Sequence, residues 1–571
     1  METKPIYEVR QISDLRDMLN SSIEIFKDKT LFLVKDEAGG PYRPISYEEY
    51  GRDVNAFGTA LLSMGLRDKK IAVIGENRYE WAVSYMSVVN GVGVIVPFDK
   101  ELPKEEIEYL VETSGVSCII YTEKYKEIFQ NLREKAPSLT CFINMDLEED
   151  EEKQYSFNKV IERGKQLLSD GNEEYIKAEI DRDAMKILLF TSGTTGMAKG
   201  VMLSHNNIAT NMMAMCSMVN IVPSDTFFSI LPLHHTYECT CGFLTPIYRG
   251  ASIAYCEGLK YILKNLEEAK PTVFLAVPLI FESIYKKIWR QAKKTGDDKK
   301  LAMGIKINSG LKRIGIDLSK KLFHKIHELM GGNMRLLISG GAAIDPEVVK
   351  GFRNMGIPML QGYGLTECSP IVGLNPDIMP KDAAAGVPLP GVEVMINNPG
   401  EDGIGEIIVR AGSVMLGYYN NKEATDKVII DGWFHTGDLG FIDENNYINI
   451  TGRKKNVIIT KNGKNIFPEE LEFYLNRIDF IAESMVWGKM DAVSGETYVH
   501  AQIRPDSESI EEYFGSQVSD EEIEKLIQDE VDKVNNSLPF YKKIRKIYIK
   551  KEEFAKTTSK KIKRHLEIPV N

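Results

Sequence analysis

Up to about residue 290, short apolar runs alternate with amphipathic stretches along the chain. The apolar runs at residues 70–75, 92–97 and 118–121 predict buried strands, and residues 81–89 and 104–111 predict helices between them. Strands that alternate with helices are typical of mostly parallel sheets covered by helices. The pattern therefore predicts an α/β fold in which a large N-terminal domain contains layered sheets.

A different pattern begins near residue 453. Residues 457–460 predict a strand, Asn462-Gly463 is typical of a hairpin turn, and Pro468 begins a helix with apolar residues on one face. These features predict a small α+β domain at the C-terminal end of the chain.

The change of pattern divides the chain into two predicted domains. Residues 1–452 form the N-terminal domain and residues 457–571 the C-terminal domain, with residues 453–456 between them. Residues 293–332 are rich in Lys and Gly and include a helical run from Leu318 to Ile326, and we interpret them as an insertion on the large domain. A chain of 571 residues is long enough for several structural units.

Composition and charge narrow the class of protein. Hydrophobic residues make up 43% of the chain and charged residues 27%, which excludes a disordered or collagen-like chain. The net charge of −11 disfavours a general nucleic-acid-binding protein. The apolar runs are too short to cross a membrane, and the first residues lack the apolar core of a signal peptide. We therefore expect a cytoplasmic protein.

The cysteines give no sign of a metal site or a disulfide framework. Seven are scattered along the chain, and the nearest pair is Cys239 and Cys241. Their spacing and apolar neighbours favour buried, reduced thiols over metal ligands.

The segment richest in glycine and hydroxyl groups spans residues 188–200. Its glycines allow the backbone to approach a ligand, and its hydroxyl groups and lysine can donate hydrogen bonds to phosphate oxygens. The order Ala198-Lys199-Gly200 lacks the Mg²⁺-binding Ser or Thr of a P-loop, which disfavours an ordinary P-loop ATPase or GTPase. A flexible surface loop without a ligand is the alternative. The residues that would hold phosphates are Thr191, Ser192, Gly193, Thr194, Thr195, Gly196 and Lys199.

Residues 190–201 closely resemble the signature loop of the adenylate-forming superfamily, which includes acyl-CoA synthetases, firefly luciferase and nonribosomal adenylation domains. Residues 361–367, 432–438 and 452–455 resemble the later motifs of this superfamily in the same order. The resemblance extends from about residue 40 to residue 566. It implies a two-step ligase in which a carboxylate attacks the α-phosphate of ATP, giving an acyl-adenylate and pyrophosphate. A thiol, usually that of coenzyme A, then displaces AMP.

The resemblance also implies the residues that bind phosphate and adenine. Thr366 and Glu367 match residues that bind the phosphates, with Glu367 as the Mg²⁺ ligand. Tyr363 would stack on adenine, and a tyrosine of the hydrophobic core is the structural alternative. The backbone around the adenine would come from Gly340, Gly341, Ala342, Gly362 and Gly364.

Three further residues match superfamily positions near the ribose and the acyl group. Asp438 would accept hydrogen bonds from the ribose hydroxyls, although an Asp after Gly437 also fits an ordinary turn. Arg453 would contact ribose and phosphate. His235, rather than His234, would border the carboxylate of the acyl substrate, and a buried core histidine is the alternative there.

In the superfamily the C-terminal domain rotates between the two steps, which implies a hinge at residues 453–456 with Lys455 as the hinge residue. Gly463 would line the tunnel for the pantetheine arm of coenzyme A. The catalytic lysine of the first step would be Lys561, with Lys560 as its rival. The superfamily pattern is broken where Ala555 replaces Pro and Lys560 replaces Gly.

The acyl substrate is indicated by residues 271–285, the His-Thr-Tyr-Glu form of the histidine segment and the 293–332 insertion. These resemble bacterial long-chain fatty acid–CoA ligases more than acetate or aryl-acid ligases. We expect a fatty acid, ATP with Mg²⁺, and coenzyme A as substrates. Acyl carrier protein as acceptor, an aryl or short-chain acid, and a non-catalytic nucleotide-binding relative are the alternatives. Weak peripheral membrane contact is compatible with a fatty acid substrate, although no segment has the pattern of a clear anchor.

Overall fold

The fold divides into two compact units. The computed structural model describes residues 2–132, 135–152, 154–191, 198–312, 314–461, 464–491, 495–515, 518–557 and 561–568. The first unit comprises Met1–Glu393 and Val409–Phe434, and the second comprises Val394–Ile408 and His435–Asn571. Residues 435–456 belong to the second unit, together with the C-terminal end of the chain. The predicted hinge at 453–456 stays a prediction.

Two large sheets form the first unit, as far as the described residues go. In the first sheet the central strands are parallel, and the strand order is Gly417–Tyr418, Lys199–Ser204, Met185–Thr191, Val94–Pro97, Lys70–Ile74, Cys118–Tyr121, Cys141–Asn144 and Tyr155–Ser156. The second sheet is parallel through its middle, in the order Val387–Pro388, Ile371–Leu374, Met359–Gly364, Leu336–Ser339, Val273–Ala276, Thr226–Ser229, Ser252–Tyr255, Thr30–Val34 and Arg43–Ser46.

Helices cover the faces of these sheets. The longer α-helices are Leu15–Phe26, Tyr47–Ser63, Tyr79–Ser87, Lys104–Ser114, Phe157–Ser169, His205–Cys216, Ile262–Ala269, Pro278–Thr295, Asp298–Lys312 and Pro346–Asn354. The shorter ones are Lys126–Leu132, Thr245–Arg249, Ser319–Leu322, His324–Leu329 and Lys422–Val428. Short 3₁₀ or π segments occur at Val88–Val92, Glu123–Tyr125, Glu238–Leu244, Leu259–Tyr261 and Thr366–Cys368.

The alternation predicted from hydrophobic periodicity is confirmed. The strand Lys70–Ile74 is buried along almost its whole length, as an interior parallel strand requires. The helix Lys104–Ser114 places Ile107, Leu110 and Val111 in the core and ends where Gly115 adopts a left-handed conformation. The predicted layered α/β fold is therefore confirmed at the level of its elements.

Two local features were not predicted. Residues 199–204 form a strand antiparallel to Met185–Thr191, and the helix that follows begins at His205 with Ser204 as its cap. The helical run from Leu318 to Ile326 is broken at Phe323, whose backbone leaves the helical region while its side chain enters the core. Both differences arise from contacts that a local pattern does not contain.

The second unit has its own core, which contains residues from Ile458 to Ile547. Its three-stranded sheet consists of Ile481–Met490, Thr497–Pro505 and Ile544–Ile549. The hairpin Ile458–Ile459 with Asn465–Ile466 and the helix Pro468–Asn476 agree with the predicted strand and helix. The remaining helical segments are Lys454–Asn456, Ser507–Phe514, Asp520–Ser537, Phe540–Lys542 and Arg564–Glu567.

A further sheet among the described residues is built from Glu393–Asn397, Gly405–Arg410, Trp433–Ile442, Ile429–Ile430 and Ile448–Arg453. Across the parts of the chain that the structure describes, no helix combines the length and the apolar character needed to cross a lipid bilayer.

Candidate active site

The predicted site residues are distributed over both units. The first unit contains Thr191, Lys199, His235 and the residues from Gly340 to Glu367. The second unit contains Asp438, Arg453, Lys455 and Lys561. Seven predicted site residues lie outside the described residues: Ser192, Gly193, Thr194, Thr195, Gly196, Gly463 and Lys560.

The two ends of the predicted phosphate loop lie side by side. Thr191 ends one strand of an antiparallel hairpin, Lys199 begins the other, and the two residues are direct partners in the pairing. The Thr191 hydroxyl donates to the Lys199 carbonyl oxygen at 3.4 Å. The hairpin therefore fixes where the loop leaves the sheet and where it returns.

Four neighbouring parallel strands of the second sheet end along a single edge. They are Thr226–Ser229, Val273–Ala276, Leu336–Ser339 and Met359–Gly364. The segments after them carry His235, Gly340 to Ala342, and Thr366 with Glu367. Ligands of α/β proteins bind at the carboxyl ends of parallel strands, so this edge is a favourable location for a site.

Glycine at position 340 allows an aromatic ring to pack on the backbone. A Cβ atom at Gly340 would lie 2.8 Å from Cζ of Tyr237, which is closer than side chains approach. The Tyr237 hydroxyl donates to the Ile338 carbonyl oxygen at 3.1 Å. Gly341 has a φ of +86°, which glycine adopts without strain. Tyr237 therefore holds the Gly340–Ala342 backbone in place.

Tyr363 lies near the end of its strand with 7% of its surface exposed. The strand is irregular between Tyr363 and Gly364 in its pairing with Ile371–Leu374. A Cβ at Gly364 would lie 2.0 Å from the Pro370 carbonyl oxygen, so a side chain is excluded there. This close approach allows the chain to turn directly into the 3₁₀ segment that carries Thr366 and Glu367.

A tyrosine connects the two charged residues expected at the phosphates. The Tyr418 hydroxyl donates to Oε1 of Glu367 at 3.0 Å, and the Tyr418 ring lies 4.9 Å from Nζ of Lys199. The main chain adds a further link, since the Met415 amide donates to the Glu367 carbonyl oxygen at 2.8 Å. The structure thus brings together a carboxylate, an ammonium group and a buried phenol from three distant parts of the sequence.

The two histidines of the His234-His235 pair have different surroundings. Nε2 of His234 lies 3.5 Å from Oδ1 of Asp99, and burial lowers the pKa of His234 to about 3, so its ring is neutral at pH 7. Nδ1 of the half-buried His235 accepts a hydrogen bond from the Tyr237 amide at 3.3 Å. This contact places the proton of a neutral His235 ring on Nε2.

Glu238, three residues after His235, is fully buried. The Ser229 hydroxyl donates to its Oε1 at 2.5 Å, while Oε2 has no hydrogen-bond partner among the described residues. Burial raises the pKa of Glu238 to about 8, only partly offset by Ser229. The side chain is therefore a neutral acid at pH 7. It packs against Gly242, where an added Cβ atom would lie only 2.6 Å from the Glu238 carboxyl group.

In the second unit, Asp438 and Arg453 form a pair. They are direct partners on antiparallel strands, and Nε of Arg453 lies 2.6 Å from Oδ1 of the nearly buried Asp438. Burial, with the positive charge of Arg453 as a second cause, lowers the pKa of Lys455. Nζ of Lys454 lies 3.0 Å from Oε2 of Glu406.

Lys561 is exposed at one side of a short hairpin. Lys556 and Ile562 form an antiparallel bridge, and the Thr557 amide donates to the Lys561 carbonyl oxygen at 2.8 Å. The Ala555 amide donates to Oε1 of Glu567 at 2.6 Å. Proline has no amide hydrogen, so a proline at this position could not make this contact.

Arg564 anchors this hairpin to the body of the second unit. Its Nη2 meets both carboxylate oxygens of Glu472 at 2.6 and 2.5 Å, and its Nη1 donates to the Val486 carbonyl oxygen at 2.9 Å. The Val486 amide in turn donates to Glu472 at 2.7 Å. Two-point contacts of this kind fix direction as well as distance.

A family model described as AMP-binding enzyme matches residues 21–419 of the chain. The chain belongs to this family. The long-chain-fatty-acid–CoA ligase 1 of Homo sapiens is 30% identical over 82% of this chain and 70% of its own length. The long chain acyl-CoA synthetase 2 of Arabidopsis thaliana is 28% identical over 84% of this chain and 76% of its own length. These relatives confirm the predicted family and the predicted class of AMP-forming acid–thiol ligases.

Solved structures confirm the fold over almost the whole chain. The anthranilate CoA ligase AuaEII in complex with anthranoyl-AMP has a TM-score of 0.78 at 20% identity, covering 98% of this chain and 97% of its own. ATP-bound MatB from Rhodopseudomonas palustris has a TM-score of 0.73 at 23% identity, covering 97% and 98%.

Three residues of the site were missed by sequence reasoning. Tyr237 and Glu238 lie in the histidine segment, but neither was given a role. Tyr418 is 51 residues from Glu367, and no periodicity connects the two. Its only local signal is the Gly417-Tyr418-Tyr419-Asn420 turn, which is compatible with any surface loop.

Proposed function

We propose that this protein activates a fatty acid with ATP and transfers the acyl group to coenzyme A, releasing AMP and pyrophosphate. The observation that carries the proposal is the convergence of Lys199, Tyr418 and Glu367 beside the hairpin of the glycine-rich loop. Membership of the AMP-binding enzyme family supports the nucleotide, and the named activity of the relatives supports the acid.

In the first step, a carboxylate oxygen of the acid attacks the α-phosphorus of ATP and the bond to the bridging oxygen of pyrophosphate breaks. Phosphoryl chemistry needs positioning and charge stabilisation more than covalent help. Lys199, with the hydroxyl-rich loop after Thr191, would hold the departing phosphates. Lys561 would neutralise charge that develops at the α-phosphate, with Lys560 as the alternative.

Mg²⁺ fits the residues at this position. Glu367 offers a carboxylate and Thr366 a hydroxyl, which are the hard oxygen ligands that Mg²⁺ prefers. The described part of the chain contains no group of three or more His, Cys, Asp or Glu side chains placed to hold a metal. One carboxylate suffices when the nucleotide phosphates supply further ligands, and the ion would neutralise phosphate charge.

The resemblance also supports a set of residues that would hold the nucleoside. Tyr363 would stack on adenine, with the Gly340, Gly341 and Ala342 backbone beside it. Asp438 would accept hydrogen bonds from the ribose hydroxyls. The guanidinium of Arg453, which already meets Asp438 at 2.6 Å, would orient that carboxylate.

In the second step, the thiol of coenzyme A attacks the acyl carbonyl carbon and AMP leaves with the former carboxylate oxygen. A rotation of the chain at Lys455 would replace Lys561 near the acyl-adenylate by the segment around Gly463. That segment would line the tunnel for the pantetheine arm of coenzyme A. His235, with its proton on Nε2, would border the acyl carboxylate during both steps.

The reaction is tested by incubating the purified protein with ATP, Mg²⁺, coenzyme A and a series of acids from acetate to stearate, with benzoate included. We expect AMP, pyrophosphate and acyl-CoA, with the highest kcat/KM among the longer acids, since each buried CH₂ group contributes about 0.8 kcal/mol. ADP formation would contradict the proposal. Replacing coenzyme A by acyl carrier protein separates the two acceptors.

The choice between the two lysines is tested by comparing Lys561→Ala with Lys560→Ala. Loss of adenylate formation in Lys561→Ala alone, with thioester formation from prepared acyl-AMP retained, is expected. The opposite pattern would assign the role to Lys560.

A further inference from the structure

Residues 298–322 carry several large apolar side chains that face solvent. Met303 and Ile307 on the helix Asp298–Lys312 have 59% and 50% of their surface exposed, and Ile314 beyond it is 71% exposed. Monomeric proteins rarely expose many large apolar side chains close together unless the surface binds something. The exposed group, named here the apolar patch, consists of Met303, Ile307, Ile314, Ile316, Leu318 and Leu322.

The outer apolar residues are not needed to attach the helix to the fold. Leu301 and Ile305 face inward and pack against the core that contains Phe323. Met303 and Ile307 are four residues apart and therefore share the opposite face. The helix is apolar on both faces, although one face already supplies its packing.

The chain after the helix folds back against it. The amide of Leu318 donates to Oδ1 of Asn308 at 2.9 Å, and the Asn308 side-chain amide donates to the Ser319 hydroxyl at 2.8 Å. The Ile316 amide donates to the Leu311 carbonyl oxygen at 3.1 Å. These contacts bring the second half of the apolar patch beside the helix that carries the first half.

Lysines surround the apolar patch. Residues 298–325 contain seven lysines and one arginine but only two aspartates, whereas the whole protein has a net charge of −11. The exposed lysines are Lys299, Lys300, Lys306, Lys320 and Lys321, of which Lys300 pairs with Asp297 at 2.8 Å. An apolar surface ringed by cations on an acidic protein is complementary to an anionic apolar surface. A symmetric contact with a second copy would instead place these lysines against one another.

We propose that the apolar patch and its lysines dock on an anionic lipid bilayer. The apolar side chains enter the boundary between headgroups and acyl chains, and the lysines meet the lipid phosphates. Such a surface would hold the enzyme where fatty acids are concentrated. Lipid binding needs no turnover, so this proposal and the proposed catalytic function can fail separately.

Flotation with vesicles tests the proposal on the full chain. Wild type is expected to float with phosphatidylglycerol–phosphatidylcholine vesicles at low salt, and to bind pure phosphatidylcholine at least about tenfold more weakly. Met303→Ser/Ile307→Ser and, separately, Lys299→Glu/Lys306→Glu are each expected to lower partitioning about tenfold or more.

The chain offers a matched control in Ile25→Ser/Met490→Ser, which changes the same residue types at positions 57% and 70% exposed elsewhere. This variant should partition like wild type. The proposal is overturned if wild type does not float, or if the control loses binding to the same extent. It is also overturned if Met303→Ser/Ile307→Ser leaves vesicle binding unchanged but lowers the molecular mass in solution, because the patch would then join copies of the chain.

Discussion

Tyr418 orients two groups of opposite charge with one side chain. Its hydroxyl holds Glu367 by a hydrogen bond to the carboxylate, while its ring face meets the ammonium of Lys199. A hydrogen bond to a charged group is stronger than one between neutral groups, and a ring face attracts a cation. In the proposed Mg²⁺ site, the phenol would therefore fix the direction in which Glu367 presents its oxygens before the nucleotide arrives.

Tyr418→Phe removes the hydroxyl and keeps the ring near Lys199. We expect the KM for ATP to rise about tenfold, with the Mg²⁺ concentration for half-maximal rate rising in parallel, because Glu367 loses its fixed orientation. Steady-state kinetics at several Mg²⁺ concentrations measures both.

Tyr419→Phe is the matched control for this variant. Tyr419 is the next residue, and its ring lies 5.4 Å from Nζ of Lys70 rather than near Lys199. If both variants raise the KM for ATP equally, or neither changes the Mg²⁺ requirement, Tyr418 does not position Glu367.

Glu238 makes stability depend on pH. Its pKa is about 8 in the folded protein and near 4.5 when exposed, so between these values the unfolded chain binds fewer protons. The contribution of Glu238 to stability is complete below about pH 4.5 and falls as the pH rises towards 8, by at most about 1.4 kcal/mol per pH unit. Glu238→Gln cannot ionise and should flatten the decline of Tm between pH 5 and 8. An unchanged pH profile of Tm would mean that Glu238 is ionised in the folded protein.

At the scale of elements, hydrophobic periodicity predicted the strands and helices of the first sheet well. The buried positions of Lys70–Ile74 and Lys104–Ser114 are the apolar positions of their own sequences. Local sequence is therefore enough to predict these two elements. It did not predict the strand Lys199–Ser204, because that strand is defined by pairing with Met185–Thr191. Nor did it predict the break at Phe323, which depends on a core contact outside the segment.

The terminal hairpin is held to the body of the second unit in part by the buried contact between Arg564 and Glu472. Glu472→Gln weakens the two-point contact with Arg564 and should let the hairpin with Lys561 move. We expect adenylate formation to slow by about tenfold or more, while thioester formation from prepared acyl-AMP keeps its wild-type rate. Rapid-quench measurement of the two half-reactions separates these steps.

Glu470→Gln on the same helix is the control, because Glu470 pairs with Lys542 at 2.7 Å and with no described residue of the hairpin. Equal losses in both half-reactions for Glu472→Gln would indicate general damage to the second unit rather than a displaced hairpin.

At the scale of the whole molecule, the site residues are divided between two compact units. The motifs that resemble the superfamily predicted which residues belong together, and the family match confirms the resemblance. The contacts that orient them were beyond sequence reasoning, because Tyr418, Glu472 and Arg564 act on residues far away in the chain. The roles of the individual site residues stay predictions, as does the hinge at Lys455.

The central claim is that the acid is activated as an adenylate, and oxygen-18 in the carboxylate of palmitate tests it most directly. When labelled palmitate reacts with ATP and coenzyme A on the enzyme, the carboxylate oxygen that attacked the α-phosphorus must leave with AMP. Mass spectrometry of the products should therefore find AMP carrying one oxygen-18 atom and unlabelled pyrophosphate. Label in inorganic phosphate, with ADP as the nucleotide product, would contradict the account.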